Sequence, residues 1–102
     1  MKLWVDDERP APAGWIWVKT AQAAILELLA GKVEEISLDH DLGSMLPGET
    51  GYSVARWIET AAANGRLKKV IWAVHSANPP GRKNIEMALE AADKFWASVV
   101  QR

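Results

Sequence analysis

The chain has 102 residues, 49% of them hydrophobic, a formal net charge of −1 and no cysteine. That length suits one domain over residues 1–102 with a modest core, and the near-neutral charge gives no general attraction to DNA or to an anionic membrane. Disulfides, thiolate catalysis and cysteine-type zinc sites are excluded, and without a run near the roughly 20 apolar residues of a spanning helix or a secretory h-region the chain reads as soluble and cytoplasmic.

Lys2 to Val5 reads as a strand that ends at Asp6-Asp7-Glu8. The stretch Arg9-Pro10-Ala11-Pro12-Ala13-Gly14 is too rich in proline and glycine for a helix. Trp15 to Val18 is β-branched or aromatic at every position, which predicts strand two. Thr20 is placed to cap a first helix whose apolar stripe is Ala21, Ala24, Ile25, Leu28 and Leu29, with Gly31 past its end. Glu34 to Leu38 predicts strand three, and Gly43 to Gly51 a loop turning at Pro47-Gly48. Thr50 or Ser53 caps a second helix with the stripe Val54, Trp57, Ile58, Ala61 and Ala62, closed by Asn64-Gly65. Strand four spans Val70 to Val74. Asn78-Pro79-Pro80-Gly81 then opens the last helix, with the stripe Ile85, Ala88, Leu89, Ala92, Trp96 and Val99.

The pattern β-β-α-β-α-β-α predicts an α/β fold around a four-stranded, mostly parallel sheet in the order two-one-three-four, in two or three layers. Right-handed crossovers put the first two helices on one face. The other face is then left to the terminal helix and to bulky side chains, for which Trp4, Trp15, Trp17 and Trp72 are spaced. Core packing is the first reading of these tryptophans, and a homodimer contact through the Trp-rich face is the second.

Parallel strands open all their C-termini on one edge, where ligands bind. Asp6, Asp7 and Asp39 would meet there. Clustered carboxylates repel unless a cation neutralises them, and hard oxygen ligands favour Mg²⁺ or Mn²⁺. Capping of turns by Asp is the alternative. His40 and His75, the two histidines of the chain, each follow an apolar strand. They suit a general acid and base, metal ligands, or structural roles. Ser76 and Asn78 are placed to donate to phosphate oxygens, although Asn78 is equally a helix cap. Arg82 and Lys83 begin a helix, where they meet an anion or simply face solvent. No Gly-rich phosphate loop, Gly-x-Ser-x-Gly elbow or His-Glu-x-x-His helix occurs.

Leu3-Trp4-Val5-Asp6-Asp7-Glu8, Asp39, Thr50-Gly51-Tyr52 and Ser76-Ala77 together resemble a two-component receiver domain (flavodoxin-like). Against that pattern the first and last helices, the fifth strand and its phosphate-binding lysine are missing. Three motifs, Trp4-Val5-Asp6-Asp7-Glu8-Arg9-Pro10, Leu38-Asp39-His40-Asp41-Leu42-Gly43 and His75-Ser76-Ala77-Asn78-Pro79, resemble more closely the cyclic-phosphate processing receiver-like domains. The resemblance implies a metal-dependent phosphodiesterase-type hydrolase acting on a cyclic phosphodiester, such as a 2′,3′-cyclic phosphate end of RNA or of a nucleotide. It implies Asp6, Asp7 and Asp39 on the Mg²⁺ or Mn²⁺, and His40 and His75 as acid and base. Asp41 would orient His40 or join the metal shell, with Ser76, Asn78 and Arg82 on phosphate. The alternative is a non-enzymatic degenerate receiver that accepts a phosphoryl group on Asp39 or binds a protein.

Overall fold

The computed structural model describes residues 1–42 and 49–100, the side chains of Val99 and Val100 apart. The expected turn at Pro47-Gly48 and the inward placing of Val99 lie outside the described residues. Four strands form: β1 (Lys2–Val5), β2 (Trp15–Val18), β3 (Glu35–Leu38) and β4 (Ile71–Val74). All three pairings are parallel, in the order β2-β1-β3-β4. The interleaved helices are α1 (Ala21–Leu29), α2 (Gly51–Ala63) and α3 (Pro79–Val100). Caps fix their starts: Thr20 accepts from the N–H of Ala23, and Thr50 and Ser53 form a reciprocal capping box. Gly31 and Gly65, at φ +78° and +68°, take the left-handed turn past α1 and α2. No helix among the described residues is long and apolar enough to cross a membrane.

Alternation divides the sheet into two unlike faces. Leu3, Val5, Ile36 and Leu38 are completely buried on one of them, in a single core with Leu28, Ile58, Ile85 and Leu89 from the three helices. The other face carries Lys2, Trp4, Trp15, Trp17, Glu35, Ser37, Ile71 and Ala73 and has no helix over it. The fold is therefore two-layered, which corrects the expectation that the terminal helix covers the second face. From β4 the chain continues the direction of the earlier right-handed crossovers, so α3 packs beside α2 on the same side. Trp72 is corrected likewise: it pairs in register with Ile36, hence lies under the helices, and its Nε1–H donates to Asp93 of α3 at 3.0 Å. Leu29, expected inward, is 64% exposed at the last turn of α1.

Parallel neighbours normally need a crossover of a dozen or more residues. Here the proline-rich segment between Val5 and Trp15 suffices. Trp4 Nε1–H donates to the Arg9 carbonyl at 2.9 Å, and the Trp15 N–H to the Pro12 carbonyl at 3.1 Å, which holds this segment against the open face.

Candidate metal centre and its surroundings

The ladder runs one step past each strand. Backbone N–H groups of Asp6, Asp39 and His75 donate to Val18, Val5 and Leu38 carbonyls at 3.0–3.1 Å, so these three residues form a row along the C-terminal rim. Each follows a residue of the helical face, and alternation turns its side chain toward the open face. Asp6, Asp7 and Asp39 bring ligand oxygens within 4.8 Å of one another, and Asp6 and Asp39 are buried.

Asp6 is the best-held group of the rim. Its Oδ1 accepts from the N–H groups of Glu8 and Arg9, both at 2.9 Å, and its Oδ2 from His75 Nε2 at 3.0 Å. Burial alone would raise its pKa, but those donors and the Arg9 guanidinium more than offset burial and hold it below the ordinary value. For Asp39 the balance tips the other way. Burial, then the neighbouring Asp6 charge, push its pKa up against the pull of Arg9, the His40 N–H and His75. A carboxylate pushed up by a like-charged neighbour is a group that a cation would discharge.

Arg9 is the residue that sequence reasoning missed. Its Nε lies 3.3 Å from Asp6 Oδ2 and its Nη2 3.7 Å from Asp39 Oδ1, while Nη1 donates to the His75 carbonyl at 3.0 Å. The available signal was its position three residues after Asp6, at the start of a proline-rich turn that folds back on the strand end. Asp7, Glu8, Arg9, Asp39, Asp41 and Asn78 line one cleft on this edge.

Neither histidine lines that cleft. The His75 ring stacks on Trp4, centroids 3.8 Å apart and planes 7° off parallel. With Nε2 on Asp6 and Nδ1 2.7 Å from Ser37 Oγ, both its nitrogens are engaged. Burial is the main reason its pKa is lowered, against the opposing pull of Asp6. His40, one residue past the row, turns toward the helices. A Cβ on Gly81 would collide with its ring, so the start of α3 is cut to receive it. His40 Nδ1 donates to Asp41 Oδ1 at 2.9 Å, which holds the Asp41 pKa down and makes Nε2 the proton-accepting nitrogen of the neutral ring.

The three proposed phosphate ligands separate. Ser76 is buried, and its Oγ accepts from the N–H of Asn78 at 3.1 Å. Asn78 caps α3, its Oδ1 accepting from the Gly81 N–H at 3.0 Å, yet it also lines the cleft and reaches Asp41 at 3.5 Å. Arg82 instead pairs with Glu86 one turn along α3, at 2.9 Å, and is not among the cleft residues.

Three carboxylate oxygens with no sulfur or nitrogen among them suit a hard divalent cation such as Mg²⁺ or Mn²⁺. In comparisons with known proteins, residues 1–91 match the profile of one family, the cyclic-phosphate processing receiver domain. No curated protein matches, and neither does any solved structure.

Proposed function

Since the chain belongs to the cyclic-phosphate processing receiver domains, we propose that it hydrolyses a cyclic phosphodiester, such as a 2′,3′-cyclic phosphate on a nucleotide or an RNA end. The observation that carries this reading is the convergence of Asp6, Asp7 and Asp39 within 4.8 Å at the edge of a cleft. Those three would hold Mg²⁺ or Mn²⁺, which when bound supplies charge neutralisation at the phosphoryl oxygens.

The chain's own residues supply the rest. His75 and the backbone of the 6–9 turn fix the Asp6 carboxylate, so His75 is a positioning residue in this reading. Arg9, 51% exposed and lining the cleft, offers a guanidinium to non-bridging oxygens, a task that Asn78, which also lines it, shares. His40 does not line the cleft but is tied to it through Asp41, and it would take the proton from the attacking water at Nε2 once bound substrate draws its ring toward the cleft. The water oxygen bonds to phosphorus, one ring P–O bond breaks, the departing alkoxide takes a proton from solvent and His40 returns its proton to solvent, which leaves a phosphomonoester.

Incubation with nucleoside 2′,3′-cyclic phosphates and Mn²⁺, followed by chromatography, tests the proposal. Monoester should accumulate with the wild type and fall at least a hundredfold with His40→Ala, the lower bound of a general-base contribution. Equal product from His40→Ala would remove His40 from the mechanism, and no product from the wild type would end the proposal.

A further inference from the structure

The uncovered face of the sheet has a use beside that chemistry. The six tryptophans divide between the two sides. Trp72 and Trp96 point their Nε1–H groups at Asp93 and Leu67 beneath the helices, and Trp57 packs against the same core. Trp4, Trp15 and Trp17 lie on the open face, Trp17 being 37% exposed. Trp15 stands edge-on against Trp4, centroids 6.1 Å apart, and is thereby held in place before any ligand arrives. Lys19 Nζ lies over the Trp17 ring, 4.5 Å from its centre, and Lys2 Nζ over the Trp15 ring at 5.7 Å, so a base stacking on that face would displace each ammonium toward the phosphates. The platform is continuous with the acidic rim: Trp17 Nε1–H donates to the Asp6 carbonyl at 2.7 Å, and Trp4 stacks on the histidine that holds the Asp6 carboxylate.

Trp17 is exposed and Trp15 half-buried, and indoles open to solvent and accompanied by lysines are what single-stranded nucleic acid needs, since every base offers a stacking surface and every phosphate a charge. We propose that Trp15 and Trp17, with Lys2 and Lys19, form a single-stranded nucleic-acid subsite that leads a strand end onto the Asp6–Asp39 rim. The inference rests on the function proposed above only for the direction in which the strand runs. It deepens that reading by selecting nucleotide chains among the cyclic phosphodiesters. Because Glu35 lies beside Lys2 in register and the whole chain carries a charge of −1, stacking rather than general attraction drives the binding.

The test is the anisotropy of a labelled hexanucleotide ending in a 3′-phosphate, measured in EDTA so that neither metal nor turnover enters. Wild-type protein should bind it, with a slope of log affinity against log salt shallower than about −2, since two lysines neutralise about two phosphates. Trp17→Ala and Trp15→Ala should each weaken binding roughly ten- to a hundredfold, and Trp17→Phe, which keeps an aromatic surface, should not. An abasic oligomer of the same length should bind the wild type no better than the hexanucleotide binds Trp17→Ala. Equal affinity for the abasic oligomer, or binding that is indifferent to both alanine variants of demonstrated fold, would overturn the proposal. So would a wild-type dimer in sedimentation that Trp17→Ala dissociates, because a second copy would then own this face. Failure of the hydrolysis assay leaves these outcomes unaffected, so the two readings fail separately.

Discussion

Asp39→Asn should weaken metal binding and yet stabilise the metal-free protein. In the wild type, the Asp39 carboxylate is buried beside Asp6, with ligand oxygens within 4.8 Å. At an effective dielectric constant near 20 the repulsion at that distance is roughly 3 kcal/mol before screening. Arg9, 3.7 Å from Asp39 Oδ1, returns part of it, but its half-exposed guanidinium is the more screened partner. A net gain of about 1 kcal/mol on neutralising Asp39 follows, which raises Tm by roughly 4–8 °C for a domain of this size. Asparagine keeps the oxygen that accepts the His40 N–H at 2.9 Å, so no donor is orphaned. The folded-state pKa of Asp39 is raised, so the folded chain holds that proton more tightly than the unfolded chain. Stability is therefore gained as pH falls through the folded value and lost as pH rises. The advantage of Asp39→Asn should accordingly be largest near pH 7 in EDTA and vanish in acid. Thermal denaturation across pH, with and without Mn²⁺, reads both effects. A variant less stable than the wild type in EDTA at pH 7, or one that Mn²⁺ stabilises as much as the wild type, would refute the reasoning.

Other substitutions probe the frame around the cluster. Gly51→Ala would drive a Cβ into the Asp39 carbonyl, which as backbone cannot yield, so it should cost about 3 kcal/mol or more in urea denaturation. The nearest atoms a Gly81→Ala methyl meets belong to the His40 ring, a side chain that can move; the substitution should cost about 1 kcal/mol in stability and reduce turnover more than Gly51→Ala does per folded molecule. His75→Ala should lower Tm, with activity falling in step with metal affinity. Because the folded-state pKa of His75 is depressed, its stabilising contribution is present above the unfolded value of about 6.5 and lost as pH falls below it. The variant should lack that part of the wild-type pH dependence in thermal melts.

Much of this was legible in the chain because local rules and tertiary demands agree. Strand ends at Val5, Val18, Leu38 and Val74, the caps at Thr20 and Thr50, and the fully parallel order two-one-three-four follow from side-chain types and connection handedness. Legibility stopped where a side chain chooses between partners distant in sequence. Trp4 and Trp72 look alike as strand tryptophans, and only the register sends one to His75 and the other to Asp93. Likewise, both histidines follow a strand, but His75 is the first residue past β4 and His40 the second past β3, and that single step of alternation parts them. Arg9 was hidden because its role depends on how a proline-rich turn closes.

That same turn shapes how the sheet is assembled. Lys2 finds its β2 partner at Trp15 but must wait for Glu35 on its other side, and Glu35 in turn for Ile71. Closing a chain costs entropy that grows with the length enclosed. The helix-free crossover therefore makes β1–β2 the most local parallel pairing this fold contains, available before any helix has docked. A ribosome would have released both of these strands, and the acidic turn between them, long before β4 emerged. Early pairing would leave Leu3 and Val5 without their helical cover until α1 and α2 arrive, so nascent chains of this length are where an aggregation hazard concentrates.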